Sequence, residues 1–250
     1  MEKIVVVSSN NNPDYLFYLP YVEKAWAHFG WSLCVLVTND VNTDTLKNTL
    51  ESTRIIKLPN ITELRTETIA QVSRLYAANF LPDDALIMTS DMDLIPLSDY
   101  WSPKLGDVTV YGYDLTDRTT YPMSYIAMSG ASWKSHLKCT GCITFDMLRD
   151  AREFERYAYN ENWEMWWGYD QHLVTKRLGR LKDLGTLTLI DRGRIRIAGA
   201  NLAIGRVDRY NWTETQKQSS FIDAHCHNNN VEHEDKLLPF LELYNKFHEL

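Results

Sequence analysis

Ala85-Leu86-Ile87-Met88-Thr89-Ser90-Asp91-Met92-Asp93-Leu94-Ile95-Pro96 opens as a short apolar run and ends in two carboxylates one residue apart, closed by proline. The run has the composition of a buried strand. On a strand, residues i and i+2 face the same way. The spacing therefore predicts that Asp91 and Asp93 project together from a strand end, where an open α/β sheet places its ligand crevice. Two oxygen donors there suit a hard divalent cation such as Mg²⁺ or Mn²⁺. The same residues also read as a polar turn after a strand, because Asp-x-Asp is a common pair.

Working outward, the chain ahead of this stretch alternates. Ile4–Ser8 reads as a strand, Tyr15–Phe29 as a helix capped by Asp14 and ended by Gly30, and Cys34–Thr38 as a second strand. Asp44–Glu51 reads as a helix, Arg54–Leu58 as a third strand, and Glu67–Phe80 as a helix stopped by Leu81-Pro82-Asp83-Asp84. Strand and helix in turn predict parallel βαβ units and a doubly wound α/β sheet. Beyond it, Val108–Tyr113, Tyr125–Met128, Thr186–Ile190 and Arg194–Ala198 read as strands. Cys142–Phe145 is an apolar run; Met147–Tyr157, Gln171–Leu178 and Asp235–Glu249 carry helix signals, the last packing across the domain. No repeat, low-complexity tract or linker interrupts the 250 residues, a length one α/β domain accommodates. The expected organisation is one domain, with a nucleotide-binding half over 1–96 and an acceptor-binding, site-completing half over 97–250.

Hydrophobic residues make up 44% and charged residues 24%, the balance of a folded globular chain. A net charge of −7 argues against a protein that coats nucleic acid, whose footprint is basic. It leaves a nucleotide ligand open, because a metal ion offsets carboxylate and phosphate charge locally. The apolar run at the N-terminus is too short for a signal-peptide core, and no later run approaches a membrane span. Cys34, Cys139, Cys142 and Cys226 then fit a reducing, cytoplasmic compartment. Asn211-Trp212-Thr213 is a formal glycosylation sequon, read as accidental without an export route.

Short polar side chains follow the first two strands. Ser8, Asn10 and Asn39 are candidates to hold a nucleotide base or ribose, although the glycines of a dinucleotide fingerprint or P-loop are missing. Arg74 sits mid-helix, where a guanidinium could grip a diphosphate or sugar hydroxyls bidentately, or simply face solvent. His225-Cys226-His227 repeats the i, i+2 spacing, and one imidazole could complete a mixed Asp/Asp/His site. Mn²⁺ suits such a set better than Mg²⁺. A structural zinc shared with Cys139-x-x-Cys142 is the competing reading, at a spacing that is not standard for zinc. Trp163, Trp166 and Trp167 form either an acceptor platform or core. Asp170-Gln171 opens a helix, where Asp170 also reads as an N-cap.

In this order the pieces resemble the GT-A-fold, metal-dependent glycosyltransferases, most of all the retaining group of glycogenin and bacterial lipopolysaccharide galactosyltransferases. The matching residues are Arg74-Leu75, Leu81-Pro82, Asp91-Met92-Asp93, the segment Thr140–Asp146, Asp170-Gln171 and the late His225/His227. The chain is also similar in size to the small glycosyltransferases of large algal viruses. It departs from the group where His225-Cys226-His227-Asn228 replaces a His-x-x-Gly-x-x-Lys-Pro-Trp ending, so the lysine that helps hold the diphosphate has no counterpart. Thr89-Ser90 stands where Tyr-Leu is usual. The resemblance implies a Rossmann-like, mixed, mostly parallel sheet flanked by helices. It implies hexose transfer from a nucleotide sugar, UDP-hexose foremost, to a glycan, glycoprotein or other hydroxyl acceptor, with Mn²⁺ or Mg²⁺. Asp91, Asp93 and His225 or His227 would hold the ion. Arg74 would contact diphosphate or sugar, and Asp170 or Gln171 would lie at the anomeric carbon. Retention is favoured. An inverting relative, an inactive glycan- or nucleotide-binding module and a haloacid dehalogenase-type phosphatase are the alternatives.

Overall fold

The computed structural model describes residues 1–101, 108–158, 168–183, 186–197, 199–212 and 221–229, with Lys236, Leu238, Glu242, Tyr244 and Asn245 beyond them. The leading part forms β1 (Lys3–Ser9), α1 (Pro13–Leu16), α2 (Leu19–His28), β2 (Ser32–Val37), α3 (Thr43–Thr49), β3 (Arg54–Lys57) and α4 (Thr66–Ser73). A 3-10 segment, Arg74–Phe80, leads to β4 (Leu86–Thr89) and β5 (Leu94–Pro96). Next come β6 (Val108–Tyr111), β7 (Ile126–Ser129), α5 (Gly130–His136), α6 (Ile143–Ala158) and α7 (Tyr169–Asp183). The last strands are β8 (Leu187–Ile190), β9 (Arg194–Ile197), β10 (Ala200–Ala203), β11 (Arg206–Asp208) and β12 (Asp223–His225).

Seven strands form the central sheet in the order β3-β2-β1-β4-β7-β6-β8. Only β7 runs against its neighbours, β4 and β6; the other pairings are parallel. Ile4–Val7 of β1 and Leu33–Val37 of β2 are apolar and buried because both faces are covered, the usual state of a parallel sheet. Along β1, Val5 and Val7 join one apolar layer with Val22 and Trp26 of α2. Ile4 and Val6 join the other with Ile69, Val72 and Leu75. The second layer also takes Trp133 of α5, Ile143 and Met147 of α6, and Leu173, Val174 and Leu178 of α7. Gly130 starts α5 because a Cβ there would lie 2.1 Å from the Pro82 carbonyl oxygen.

Several expected elements are divided. The helix expected over Tyr15–Phe29 is two helices, since Pro20 would clash with the carbonyl of Leu16, where α1 stops. Asn12, not Asp14, caps α1, accepting the Asp14 N–H at 3.0 Å. The helix expected over Glu67–Phe80 turns 3-10 at Arg74. The apolar run Cys142–Phe145 enters α6 at Ile143, because Ile143, Met147 and Ala151 recur on one buried face. Of the C-terminal helix, Lys236, Leu238, Glu242, Tyr244 and Asn245 are helical, and Tyr244 packs edge-on against Tyr21, ring centroids 5.4 Å apart. Trp163, Trp166 and Trp167 lie outside the described residues. Among the described residues no helix is long and apolar enough to cross a membrane.

The division with most consequence lies in the stretch quoted first. β4 ends at Thr89, and the chain turns through Asp91–Asp93 before entering β5, which belongs to a second sheet of order β11-β12-β5. β5 and β12 pair antiparallel, with Leu94 opposite His225 and Ile95 opposite Ala224. The Cys226 N–H continues that ladder to the Asp93 carbonyl at 2.8 Å. This register brings His225 to Asp93.

Candidate functional site

Ser9 lies level with Val37 of β2 and Val6 with Thr89 of β4, so the segments after β1, β2 and β4 share the carboxyl edge of the sheet. Ser8, Asn10, Asn39 and Asp91 therefore come to one edge. Their side chains do different things. The Ser8 hydroxyl donates to the Ala70 carbonyl of α4. The Asn10 amide reaches Thr66 Oγ1 at 3.5 Å. Both join β1 to α4. Asn39 lies half-buried in the turn after β2.

Because the Asp-x-Asp segment is a turn and not a strand, its two carboxylates do not point together along one pleat. Asp91 accepts from Arg74 Nη1, which also donates to the Ser90 carbonyl at 2.8 Å. The other arm of the fork, Nη2, donates to Asp170 Oδ2 at 2.8 Å. Arg74 is buried rather than facing solvent, and joins the end of β4 to the start of α7. Asp170 is not an N-cap: it lies in the first turn of α7, and its Oδ1 accepts the Gln171 N–H at 2.8 Å. Burial pushes the Asp170 carboxyl up, against the pull of Arg74, to about 6. The Gln171 side chain turns instead to the Thr120 hydroxyl, 3.3 Å away.

Asp93 faces a different set. Its Oδ2 accepts from Arg209 Nη1 at 2.8 Å and stands 3.5 Å from His225 Nε2. The other imidazole nitrogen, Nδ1, lies 3.3 Å from Asp208 Oδ2. Burial would raise the Asp93 carboxyl, but the hydrogen bond and charge of His225, then Arg209, hold it below the ordinary value. Burial disfavours the imidazolium of His225, yet Asp208 and Asp93 together raise its pKa. His227 parts from its neighbour because β12 ends at His225. Its ring packs on Trp212, centroids 5.5 Å apart, and its carbonyl accepts from Tyr18. His225, not His227, meets Asp93. Burial raises the phenol of Tyr15, and the charges of Asp93 and Asp91 raise it further against the pull of Arg209.

What holds β12 in place is a buried knot. Asp223 accepts from Arg192 at 2.9 and 2.7 Å and from Arg206 at 3.1 and 2.7 Å. Tyr125 also donates to it at 3.0 Å. The two guanidiniums overcome burial and hold its carboxyl far below the usual range.

The donor set bears on whether a divalent ion could bind. Asp93 and His225 fit: a carboxylate oxygen and an imidazole nitrogen meet, and a second carboxylate, Asp208, orients the ring from behind, as it does for metal-binding histidines. Among the described residues no group of three or more His, Cys, Asp or Glu side chains is gathered to hold a metal, since Asp91 is turned to Arg74. The zinc reading fails on topology. Cys139 packs with the second apolar layer and Cys226 with the first, on opposite faces of the sheet. Thr140–Asp146 is structural: Asp146 is fully buried and accepts from Asn79 at 3.0 Å and from the Thr140 N–H.

Asp208, Arg209 and Tyr15 escaped the sequence reading. Val207 is the only apolar residue of β11, and one apolar residue between charges carries no strand signal.

No family model matches this chain, and no curated protein does. Among solved structures it is similar to the galactosyltransferase LgtC in complex with donor and acceptor sugar analogues. Identity is 15%, the match covers 98% of this chain and 96% of that one, and the TM-score is 0.54. An active-site variant of LgtC, with glutamine replaced by glutamate, matches at 15% identity, 98% and 95% coverage, and a TM-score of 0.56. The glycosyltransferase GlyE of Streptococcus pneumoniae TIGR4 matches 76% of this chain and 45% of its own at 15% identity; its TM-score of 0.49 adds no weight. The mixed, mostly parallel sheet flanked by helices is the GT-A fold.

Proposed function

We propose that this chain is a glycosyltransferase that moves a hexose from a nucleotide sugar, UDP-hexose foremost, to a hydroxyl of a glycan or glycoprotein, with retention favoured over inversion. The observation that carries the reading is the meeting of Asp93 and His225 beside the Arg74–Asp91–Asp170 cluster, at the carboxyl edge of a GT-A sheet. The reading includes one domain with a donor half and an acceptor half. It also includes a cytoplasmic setting, in keeping with four free thiols. LgtC, a solved protein of like fold, is seen in complex with donor and acceptor sugar analogues.

Asp93 and His225 would hold Mn²⁺ or Mg²⁺, with Asp91 completing the set or binding ribose. Such an ion supplies Lewis acidity to a leaving diphosphate. Arg74 keeps Asp91 and Asp170 as neighbours and offsets their repulsion. Asp170 is then the carboxylate nearest the reacting sugar. In a retaining reaction it stabilises the oxocarbenium-like centre or attacks it; in an inverting one it takes the acceptor proton. Gln171 shares its helix start, and LgtC also has an active-site glutamine.

The test is a melting panel of nucleotide sugars with Mn²⁺ or chelator, followed by donor hydrolysis on any hit. A ligand at about 100 times its Kd stabilises by about 2.7 kcal/mol. For a chain of this size that is a rise of about 5–11 °C. Asp93→Ala abolishes both the shift and hydrolysis. No shift with any nucleotide sugar overturns the reading; a shift without turnover makes the protein a binding module.

A further inference from the structure

The charges around Asp93 pose a problem for any anionic ligand. Asp91, Asp93, Asp170 and Asp208 line or back the site. A diphosphate approaching four carboxylates needs a cation free to turn toward it. Arg74 is not that cation: its fork is divided between Asp91, Asp170 and the Ser90 carbonyl, and its side chain is 9% exposed. Arg192 and Arg206 are both bound to Asp223, at 2% and 13% exposure.

Arg209 differs. Its side chain is 20% exposed, and Asp93 is its one carboxylate among the described residues. Nη1 also lies 3.5 Å from the Cys226 carbonyl, and the guanidinium lies 5.3 Å from the centre of the exposed Tyr210 ring. It sits on a short 3-10 turn, Arg209–Asn211, fixed at its start by Asp208 Oδ1 accepting the Tyr210 N–H at 3.0 Å. Asp208 thus orients both His225, through Oδ2, and the backbone that carries Arg209. Arg209 and His225 share one oxygen, Oδ2 of Asp93. A guanidinium and a divalent ion on that oxygen would repel.

We propose that Arg209 is the diphosphate-binding cation of this chain, and that it passes between two anions: the Asp93 carboxylate, which it holds in this structure, and a nucleoside diphosphate. The proposal rests on the glycosyl-transfer reading of the same site and deepens it. When Arg209 turns to the diphosphate, Asp93 is opened to a divalent cation. Ion and diphosphate then bind better together than apart, and by linkage each strengthens the other by the same factor.

The experiment uses the full chain, its Arg209→Gln variant and its Arg209→Lys variant. Mn²⁺ alone is titrated by the paramagnetic resonance signal of the free ion. Inorganic pyrophosphate and UDP are titrated by calorimetry at saturating Mn²⁺. Arg209→Gln binds Mn²⁺ alone more tightly, by about fivefold or more, and binds pyrophosphate and UDP more weakly by a similar factor. Arg209→Lys stays nearer the parent in both. Opposite signs cannot come from a loosened fold, which would weaken both ligands. Unchanged constants, or changes of the same sign, overturn the proposal while leaving glycosyl transfer intact. Pyrophosphate binding by the parent without UDP binding sinks the nucleotide reading, and Arg209 is then judged on pyrophosphate. A parent that binds neither Mn²⁺ nor pyrophosphate overturns both.

Discussion

Replacing Arg74 by methionine keeps much of the apolar stem and removes the fork that joins Asp91 to Asp170. The consequence falls on Asp170, whose carboxyl burial has already raised from 3.8 to about 6 with Arg74 pulling the other way. Without the guanidinium, and with Asp91 still at hand, the folded-state pKa climbs further. A raised carboxyl means that the folded protein keeps a proton that the unfolded chain releases. Stability therefore falls as pH rises above the unfolded value and levels off only above the folded one. In the parent the fall ends near 6; in the variant it continues. Each tenfold rise in that carboxyl's proton affinity widens the gap in stability between the two by about 1 kcal/mol from about pH 5 to about pH 8. Urea denaturation of both proteins at the two pH values measures that gap directly. A gap that does not change with pH would refute the reasoning, whatever its size, because Arg74 would then not be what keeps Asp170 ionised.

Asp170→Asn is expected to lower turnover by about 100-fold or more while UDP binding by calorimetry stays near that of the parent. The parent's acid limb in turnover, near the raised carboxyl pKa of about 6, should vanish with it; an unchanged rate would reduce Asp170 to a helix-start residue. Asp223→Asn removes the counter-charge of two buried arginines, at a cost of about 3–5 kcal/mol. It should lower Tm by about 6 °C or more and weaken Mn²⁺ binding, because β12 also carries His225; an unshifted melting curve would count against the knot. Gly130→Ala forces a methyl group onto the Pro82 carbonyl and should cost about 1–3 kcal/mol by denaturation, unless the loop before β4 yields freely.

Some of this was legible one residue at a time. Val5-Val6-Val7, Leu33–Val37 and Ala85–Met88 are apolar on both faces, which happens only where helices cover a sheet on both sides. The helix signals between them then dictate parallel units, and parallel units put Asp91 at a carboxyl edge. Cap and stop residues were less decisive: Asp14 read as a cap, but Pro20 moved the break, and Asn12 took the role. β10, β11 and β12 left no readable trace, because strands of three or four residues mixed with polar or charged side chains have no period to detect.

The local pattern alone therefore determined the layered α/β sheet, its ligand-bearing edge and the residue types gathered there, because periodicity and turn chemistry act between near neighbours. Which histidine meets Asp93, which acid Arg74 grips, and the presence of Arg209 at all were decided by tertiary structure. Those contacts depend on the β5–β12 register and on the Asp223 knot that anchors it, and pairing across more than a hundred residues is written in no single stretch of the chain.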